Sequence, residues 1–269
     1  MVAVDRPHQF NADIPRLYDR HLGPIVFLPY ARDIARRVAG VQPSRVLEVA
    51  CGTGIVTRQL RDALGARASI VAVDLNPPML EYARSKADAP DADWRHADGA
   101  SLPFANASFD AVACQFGYMF FPDKVAGFRE AARVLAPGGH LFFSVWNSLD
   151  ANPTGRLAHD TVVAHFPADP PMFQQVPFGY HDDRAIRADL AAAGFQDVAI
   201  DRVVFDVDMP SAGDLATGLL RGTPMFNALT ERGADIDAMQ RDLQRRLVDA
   251  GGSPPTVRLD GKVVTARVG

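Results

Sequence analysis

The feature that most constrains the fold is a glycine-containing loop between a β-branched run and an amphipathic segment. The run 45–49 leads into Ala-Cys-Gly-Thr-Gly at 50–54, and apolar residues then recur at helical spacing over 57–64. An acid, Asp74, ends the next apolar run, 20 residues past Gly54. A strand, a tight glycine turn, a helix and a strand-end carboxylate at this spacing predict an adenosine site in an α/β sheet, with the carboxylate on the ribose hydroxyls.

The rest of the chain continues the alternation of strands and helices. The run 140–146 is apolar at nearly every position, which is typical of parallel strands buried on both faces. The earlier predicted strands are 45–49, 69–74, 93–96 and 109–115, and amphipathic segments separate them. We therefore predict an α/β fold with a doubly wound, mostly parallel, seven-stranded Rossmann-like sheet and a helical cap.

The domain organisation follows from the length, because 269 residues correspond to one large domain, or to one domain with a small cap. We expect a single domain over 1–269. Its predicted parts are an N-terminal helical segment (1–43), a cofactor-binding core (44–147), helical cap insertions (151–180 and 208–250) and two final strands (195–207 and 257–268). Near the end, Asp260-Gly261 could instead turn a hairpin, or the last strand could begin at Lys262.

Charge and composition exclude several kinds of protein. A net charge of −4 disfavours a basic nucleic-acid surface, so no nucleic-acid partner is expected. No apolar run approaches the ~20 residues that span a bilayer, and Asp5 and Pro7 interrupt any apolar stretch at the start. A cytoplasmic protein is therefore expected. Cys51 and Cys114 form neither a disulfide scaffold nor a Cys-x-x-Cys pair, and no metal site is predicted.

The loop differs from those that hold phosphates. A dinucleotide loop reads G-x-G-x-x-G, and here Gly52, Gly54 and Thr57 occupy those places, so the third glycine is missing. Glu48, an acid inside the strand, would repel a pyrophosphate and suits a ligand that carries positive charge. A nicotinamide-dependent oxidoreductase is therefore a less favoured alternative.

Five segments taken in order resemble class I S-adenosylmethionine-dependent methyltransferases. They cover roughly 44–147 and are 46–54, 73–80, 96–104, 108–117 and 133–141. The chain is similar to the small-molecule branch that includes the ubiquinone and menaquinone C-methyltransferases. It departs from the family at Ala50, where the first glycine of the loop often stands. The resemblance implies S-adenosylmethionine as cofactor, S-adenosylhomocysteine as product, and direct displacement at the sulfonium by a small, largely apolar acceptor.

The resemblance assigns the loop to the methionine part of the cofactor. Backbone around Ala50, Gly52 and Gly54 is expected to line it, and Glu48 is expected to favour the ammonium or sulfonium charge. Cys51 lies near a helix N-terminus, which predicts a lowered thiol pKa. No base partner is visible for this thiol, so we expect it to fill a crowded turn rather than to act as a nucleophile.

The second and fourth motifs, 73–80 and 108–117, are assigned to the nucleoside and the methyl group. Asp74 is expected to hold the ribose, with Leu75 and Met79 packing against the adenine. Gln115 and Phe116, which end the fourth strand, are expected to face the cofactor and the reacting methyl. This placement agrees with the general rule that ligands bind outside the carboxyl ends of parallel strands.

The remaining implied contacts come from the loop after the third strand and from the N-terminal segment. Asp98 is expected to accept a hydrogen bond from the adenine N6 amine, beside Gly99 and Ala100. Tyr18 belongs to an N-terminal segment that folds over the cofactor in relatives, and we expect it to contact the cofactor there.

The acceptor pocket is less readable than the cofactor site, and no catalytic residue is assigned. A general base is needed only if the acceptor must lose a proton, and the candidates are Tyr18, His159, His165 and His181. Apolar side chains from the aromatic stretch 116–121 and from the cap are expected to form the pocket. The cap candidates are Phe166, Met172, Phe173, Phe178, Met225 and Phe226.

Two further alternatives stay open or less favoured at this point. A protein that binds the cofactor without transferring methyl, or that uses a modified cofactor, is compatible with the motifs. A nucleic-acid methyltransferase would favour a basic groove and, for amino methylation, an Asn/Asp-Pro-Pro-aromatic loop, whereas the chain has Gln-Phe-Gly-Tyr at 115–118. The oligomeric state cannot be inferred from these patterns.

Overall fold

Seven strands form one sheet in the computed structural model, which describes residues 13–209, 211–252 and 255–269. The strands are β1 (Arg45–Val49), β2 (Ser69–Asp74), β3 (Asp93–His96), β4 (Phe109–Gln115), β5 (Leu135–Trp146), β6 (Phe195–Asp208) and β7 (Thr256–Val268). Their order in the sheet is β3-β2-β1-β4-β5-β7-β6. The first five strands pair in parallel, whereas β7 runs antiparallel to both β5 and β6. The predicted doubly wound, mostly parallel seven-stranded sheet is confirmed.

Position in the sheet explains how clearly each strand could be predicted. The central strands β1, β4 and β5 are covered on both faces, so most of their side chains are buried and their sequences are almost continuously apolar. The edge strand β3 is mostly exposed and reads Asp-Trp-Arg-His, which is a weak strand signal. The long strand β6 lies at the other edge and is only partly buried.

Helices cover both faces of the sheet and one of its ends. They are α1 (Ile14–Leu17), a π-helical segment (Tyr18–Phe27), α2 (Leu28–Gly40), α3 (Ile55–Leu64), α4 (Pro77–Ser85), α5 (Lys124–Val134), α6 (Pro153–His165), α7 (Gln175–Gly179), α8 (Asp183–Ala192), α9 (Ala212–Arg221), α10 (Met225–Glu231) and α11 (Ile236–Ala250). Side chains of Asp123, Asp182 and Asp235 cap the N-termini of α5, α8 and α11. No helix among these is long and apolar enough to cross a membrane.

The predicted helical cap forms at the end of the sheet where the parallel strands finish. Helix α11 packs against α6 and α9, and α9 also packs against the π-helical segment. Residues of α6, α7, α9 and the π-helical segment lie close to Phe116 and Trp146, at the carboxyl ends of β4 and β5. The cap therefore stands where ligands bind in open parallel sheets.

The last strand corrects both alternatives for the chain end. β7 is continuous through Asp260-Gly261, with Gly261 paired to Trp146 on one side and to Val203 on the other. No hairpin turns there, and the strand begins well before Lys262. A Cβ atom on Gly261 would lie 2.8 Å from the Tyr30 hydroxyl, so the glycine permits a close packing contact instead of a turn.

Candidate active site

The loop after β1 has residues in the left-handed region and leaves free space beside part of its backbone. Ala50, Gly52 and Gly54 have φ values of 56°, 55° and 76°, in the left-handed region. A Cβ atom on Gly54 would lie 2.6 Å from the Trp94 ring, so this glycine is required by packing. A Cβ atom on Gly52 would meet nothing within 4 Å. The backbone at Gly52 therefore faces space that a ligand can fill.

Asp74 connects this loop to the end of β2. Its Oδ2 accepts a hydrogen bond from the Gly52 N–H at 2.8 Å, and its Oδ1 accepts from the Asn76 N–H at 2.8 Å and from Asn76 Nδ2 at 3.2 Å. The side chain is 6% exposed. Burial raises the pKa of Asp74 above its ordinary value, and these hydrogen bonds oppose the shift. A carboxylate oxygen can accept more than one hydrogen bond, so both oxygens remain usable by a ligand.

Glu48 lies in β1 just before the loop and is almost completely buried, at 1% exposure. Its Oε2 accepts a hydrogen bond from the Thr57 hydroxyl at 2.5 Å. Burial raises the pKa of Glu48 to about 8, the Thr57 hydrogen bond lowers it, and the negative charge of Asp74 adds to the increase. A positively charged ligand near this carboxyl would favour its ionised form.

The N-terminal segment lies against the loop. Burial raises the pKa of the Tyr18 hydroxyl well above its ordinary value, and the negative charges of Asp74 and Asp19 add to the shift. The Tyr18 ring stacks on Phe27, with 4.5 Å between ring centroids. Tyr18 therefore lies near Asp74, as the predicted contact requires, and its hydroxyl retains its proton.

Asp19 holds this segment in place. Its carboxylate pairs with Lys86 at 2.5 Å and with Arg58 at 3.5 Å, and all three side chains are largely buried. Lys86 follows α4 and Arg58 belongs to α3, so the ion pairs attach the π-helical segment to the helix after the loop and to the end of α4.

The thiol of Cys51 behaves differently from the expectation. It is buried, at 5% exposure, and burial together with the charges of Asp74 and Glu48 raises its pKa well above the ordinary value. The prediction of a lowered pKa is therefore wrong, because the loss of solvation and the nearby carboxylates outweigh the helix N-terminus. A thiol that keeps its proton is a poor nucleophile, which agrees with a packing role.

The loop after β3 lies beside Asp74, because the Ala97 N–H donates to the Asp74 carbonyl at 3.1 Å. Asp98 is exposed, and its Oδ1 accepts from the Ala100 N–H at 2.8 Å. A Cβ atom on Gly99 would lie 2.6 Å from the Phe121 ring and 2.7 Å from Val49 Cγ1. Gly99 is thus a packing residue under the end of β1.

The two residues expected against the adenine have opposite environments. Leu75 is 58% exposed, so its apolar side chain is available to a flat ring. Met79 is 3% exposed and is packed in the interior at the start of α4.

Gln115 is the last residue of β4, and Phe116 follows it next to the cap. Gln115 Nε2 donates to the Phe27 carbonyl at 3.2 Å, whereas its Oε1 is buried without a hydrogen-bond partner in the described part of the chain. Phe116 has a φ of 53° and stacks on Trp146, with 3.9 Å between ring centroids. Gln115 Oε1 is thus a buried acceptor without a donor, and the stacked Phe116 and Trp146 rings form an aromatic wall beside it.

The aromatic wall belongs to a cavity of about 150 Å³ under the cap. Side chains of the π-helical segment, the β4 and β5 ends, α6, α7, α9 and β7 surround it. Apolar lining residues include Leu22, Val26, Phe27, Phe116, Met119, Phe120, Trp146, Phe173, Pro177, Phe178, Leu219 and Leu259; the polar ones are Tyr18, Asn152, Thr154, Gln174, Thr223 and Arg258. The cavity is therefore mainly apolar, as in many small-molecule sites.

The cap side chains named from the sequence divide into two groups. Phe173 and Phe178 line the cavity, and Phe116 and Phe120 do so from the aromatic stretch. The other four cap candidates, Phe166, Met172, Met225 and Phe226, do not line it. Met225 is completely buried among the helices and Met172 is 41% exposed, because a cap must also form its own core and surface.

The three histidines considered as bases are also outside the cavity lining. His165 lies 3.5 Å from Asp242, and His181 Nδ1 is 2.8 Å from the Phe178 carbonyl. His159 is half-buried on α6. Sequence reasoning missed Trp146, Asn152 and Gln174. Trp146 could have been found as the last residue of a buried parallel strand, whereas Asn152 and Gln174 have no motif.

A family profile described as a methyltransferase domain matches residues 46–139. The demethylmenaquinone methyltransferase of Deinococcus radiodurans is 41% identical over 136 residues, which is 49% of this chain and 56% of that protein. The enzyme of the same name from Staphylococcus epidermidis is 28% identical over 214 residues, covering 73% of this chain and 87% of its own length. The chain spans about half the length of several curated relatives that match the core. For three of them the match covers 56%, 36% and 46% of the relative's own length.

Solved structures share the fold. Phosphoethanolamine N-methyltransferase 2 of Haemonchus contortus, in complex with phosphomonomethylethanolamine and S-adenosylhomocysteine, superimposes with a TM-score of 0.61 at 15% identity. The superposition covers 97% of this chain and 58% of that one. The matched profile identifies residues 46–139 as a methyltransferase domain, and the sheet order and the solved structures show the fold that the motifs predicted. Over this core the chain is similar to the demethylmenaquinone methyltransferases.

Proposed function

We propose that this protein transfers a methyl group from S-adenosylmethionine to a small, largely apolar acceptor. The observation that carries the proposal is that the polar loop after β1 and the apolar cavity under the cap lie at the carboxyl ends of neighbouring strands. The open backbone at Gly52 lies beside the carboxyl groups of Asp74 and Glu48, and the apolar cavity begins at Phe116 on the neighbouring strand. Relatives named for demethylmenaquinone support a quinone-like acceptor.

The residues present fit the cofactor. Space at Gly52 would take the methionine part, and the unpartnered Gln115 Oε1 is an acceptor for its ammonium group. Asp74 would hold the ribose, because its oxygens lie at the end of β2 with capacity for further donors. Exposed Leu75 would cover the adenine, and Asp98 would accept from its amine.

The other expected contacts have narrower proposed roles. Ala50 and Gly54 would shape the loop, and Cys51 would fill it. Met79, Gly99 and Ala100 would support the adenine site from below or through the backbone. Tyr18 and Phe116 would contact the cofactor where it meets the acceptor cavity, since both lie on the cavity wall.

The chemistry requires little from the protein beyond orientation and exclusion of water. When bound, S-adenosylmethionine supplies a methyl group already activated on a sulfonium, so direct displacement needs an aligned acceptor atom. Within 13–209, 211–252 and 255–269, no carboxylate and no histidine lines the cavity, and the Tyr18 hydroxyl keeps its proton. We therefore propose displacement without a side-chain base, in which the acceptor atom bonds the methyl carbon as the carbon–sulfur bond breaks and any proton that the acceptor loses is released to water.

We also propose that residues 1–269 work as one domain. The core over 44–147 would bind the cofactor, the segment 1–43 and the insertions 151–180 and 208–250 would close the acceptor cavity, and the strands 195–207 and 257–268 would complete the sheet. The contacts of the π-helical segment and α9 with the cavity support this division.

Calorimetric titration tests the proposal. We expect S-adenosylmethionine to bind at one site per chain and NAD not to bind. The same protein, incubated with methyl-labelled S-adenosylmethionine and 1,4-naphthohydroquinone, is expected to yield labelled product. Absence of S-adenosylmethionine binding would contradict the proposal, and binding without any labelled product would favour a cofactor-binding protein that transfers no methyl group.

The buried Glu48 predicts that cofactor affinity depends on pH. The pKa of this carboxyl is about 8 in the free protein, so it is mostly protonated at pH 6, whereas a cationic ligand favours its ionised form. Binding then releases a proton. We expect affinity for S-adenosylmethionine to rise from pH 6 to pH 8, by up to about tenfold per pH unit, and to level off above pH 8.

The variant Glu48→Gln is the control for this pH dependence. It keeps a hydrogen-bonding partner for Thr57 and cannot ionise, so the slope of log affinity against pH is expected to fall. The same linkage makes Glu48 favour folding at low pH. Its stabilising contribution is fully present below about pH 4.5 and is lost as pH rises to about 8. An unchanged slope in Glu48→Gln would rule out Glu48 as the titrating group.

A further inference from the structure

We propose that Gln174 determines acceptor specificity by accepting a hydrogen bond from a hydroxyl group on a compact, ring-shaped acceptor. The inference rests on the proposed function in one respect, namely that the cavity under the cap is the acceptor site. It adds the polar group that such an acceptor must carry and the residue that recognises it.

Gln174 is a polar side chain in an otherwise apolar part of the cavity. It precedes α7 and is 6% exposed, and its Oε1 is buried without a hydrogen-bond partner in the parts of the chain that the structure describes. The residue lines the cavity. A buried acceptor atom without a partner is unfavourable, and a ligand that brings a donor removes that cost. The amide nitrogen of glutamine is a donor, so it can also give a hydrogen bond to the same hydroxyl.

The size and the aromatic lining of the cavity indicate that the body of the acceptor is a ring. Its volume is about 150 Å³, a size at which an apolar cavity accepts a benzene ring. Phe116 and Trp146 stack as a flat wall, and Phe178 lies 6.1 Å from the Trp146 ring. A lining of several aromatic rings favours an aromatic ligand over a charged one.

Three other polar side chains around the cavity have partners. The Asn152 side chain exchanges two hydrogen bonds with the Asp260 backbone, each at 2.9 Å. The Thr223 hydroxyl donates to the Leu219 carbonyl at 3.0 Å, and Arg258 pairs with Asp206 at 3.4 Å. Gln174 thus offers a buried, uncommitted acceptor that can distinguish a hydroxylated ring from a plain one.

Two probes of equal shape test this inference, phenol and toluene, which differ by a hydroxyl in place of a methyl. Calorimetric titration of the cofactor-free protein gives the ratio of the two dissociation constants. We expect the wild-type protein to prefer phenol, and we expect Gln174→Leu to reduce that preference about five- to tenfold without weakening toluene binding. Gln175→Leu is the matched control, because Gln175 is the exposed neighbour, and its ratio should equal that of the wild type.

Several results would overturn the inference. They are an unchanged ratio in Gln174→Leu, an equal loss of both probes in that variant, an equal change in Gln175→Leu, or no binding of either probe to the wild type. Gln174→Met keeps the length of the side chain and decides the matter if the leucine variant fails to fold. Titration of each variant with S-adenosylmethionine separates this inference from the proposed function, because cofactor binding does not depend on Gln174.

Discussion

Replacing Asp74 with asparagine is expected to weaken S-adenosylmethionine binding about 100-fold while leaving the fold intact. The proposed ribose contact consists of hydrogen bonds to an ionised acceptor, each of which contributes about 1.5–3 kcal/mol. Losing about 3 kcal/mol corresponds to roughly a hundredfold change in dissociation constant. Asparagine has the same shape, and its oxygen can still accept from the Gly52 or the Asn76 N–H, so the loop is expected to keep its conformation.

The measurement is a calorimetric titration, accompanied by a thermal unfolding curve for each variant. Asp110→Asn is a matched control, because Asp110 also accepts backbone hydrogen bonds, from Ser44 and Arg45, at the opposite end of the parallel strands. Its cofactor affinity is expected to equal that of the wild type. If Asp74→Asn binds S-adenosylmethionine as tightly as the wild type does, the nucleoside site lies elsewhere.

The second large effect concerns stability, and it comes from Asp260→Ala, which is expected to lower the free energy of unfolding by about 3 kcal/mol. Asp260 is completely buried in β7. Its carboxylate accepts from Arg202 at 2.5 Å and from Asn147 Nδ2 at 3.0 Å. Alanine removes these charge-assisted bonds and leaves the Asn147 amide without this partner. Because Asn152 binds the Asp260 backbone, which alanine retains, the start of α6 is expected to keep these contacts.

Urea unfolding of the two proteins measures this difference. Asp206→Ala is the control, since Asp206 is exposed on the neighbouring strand and forms a surface pair with Arg258. Its effect is expected to stay below about 1 kcal/mol. Equal losses in the two variants would mean that the network around Asp260 contributes no more than a surface ion pair.

Much of the cofactor half could be predicted because its signals are local. A left-handed turn needs glycine or a small residue, and the positions of Gly52 and Gly54 are visible in the chain itself. Asp74 ends a strand that pairs with β1, so its proximity to the loop follows from the strand order that the alternation implies. The buried central strands are apolar throughout, which made the sheet readable before any contact was known.

Predictions failed where a property depends on what surrounds a residue. The thiol pKa of Cys51 rises because its neighbours in space are buried carboxyl groups, and helix position alone suggested the opposite. Asp260-Gly261 has the composition of a turn, but the pairing of β7 with both neighbours extends the strand through it. Local preference is weak compared with the hydrogen bonds of a sheet interior.

The sequence by itself determined the alternation of strands and helices, the loop with its glycines, and the acid at the end of β2. These are properties of short segments, whose backbone preferences and spacing are written in consecutive residues. Only the tertiary structure decided which side chains surround the acceptor cavity, because Phe27, Trp146, Gln174 and Leu259 come from four distant parts of the chain. Their meeting depends on how the cap helices pack over the sheet, and packing is a property of the whole fold.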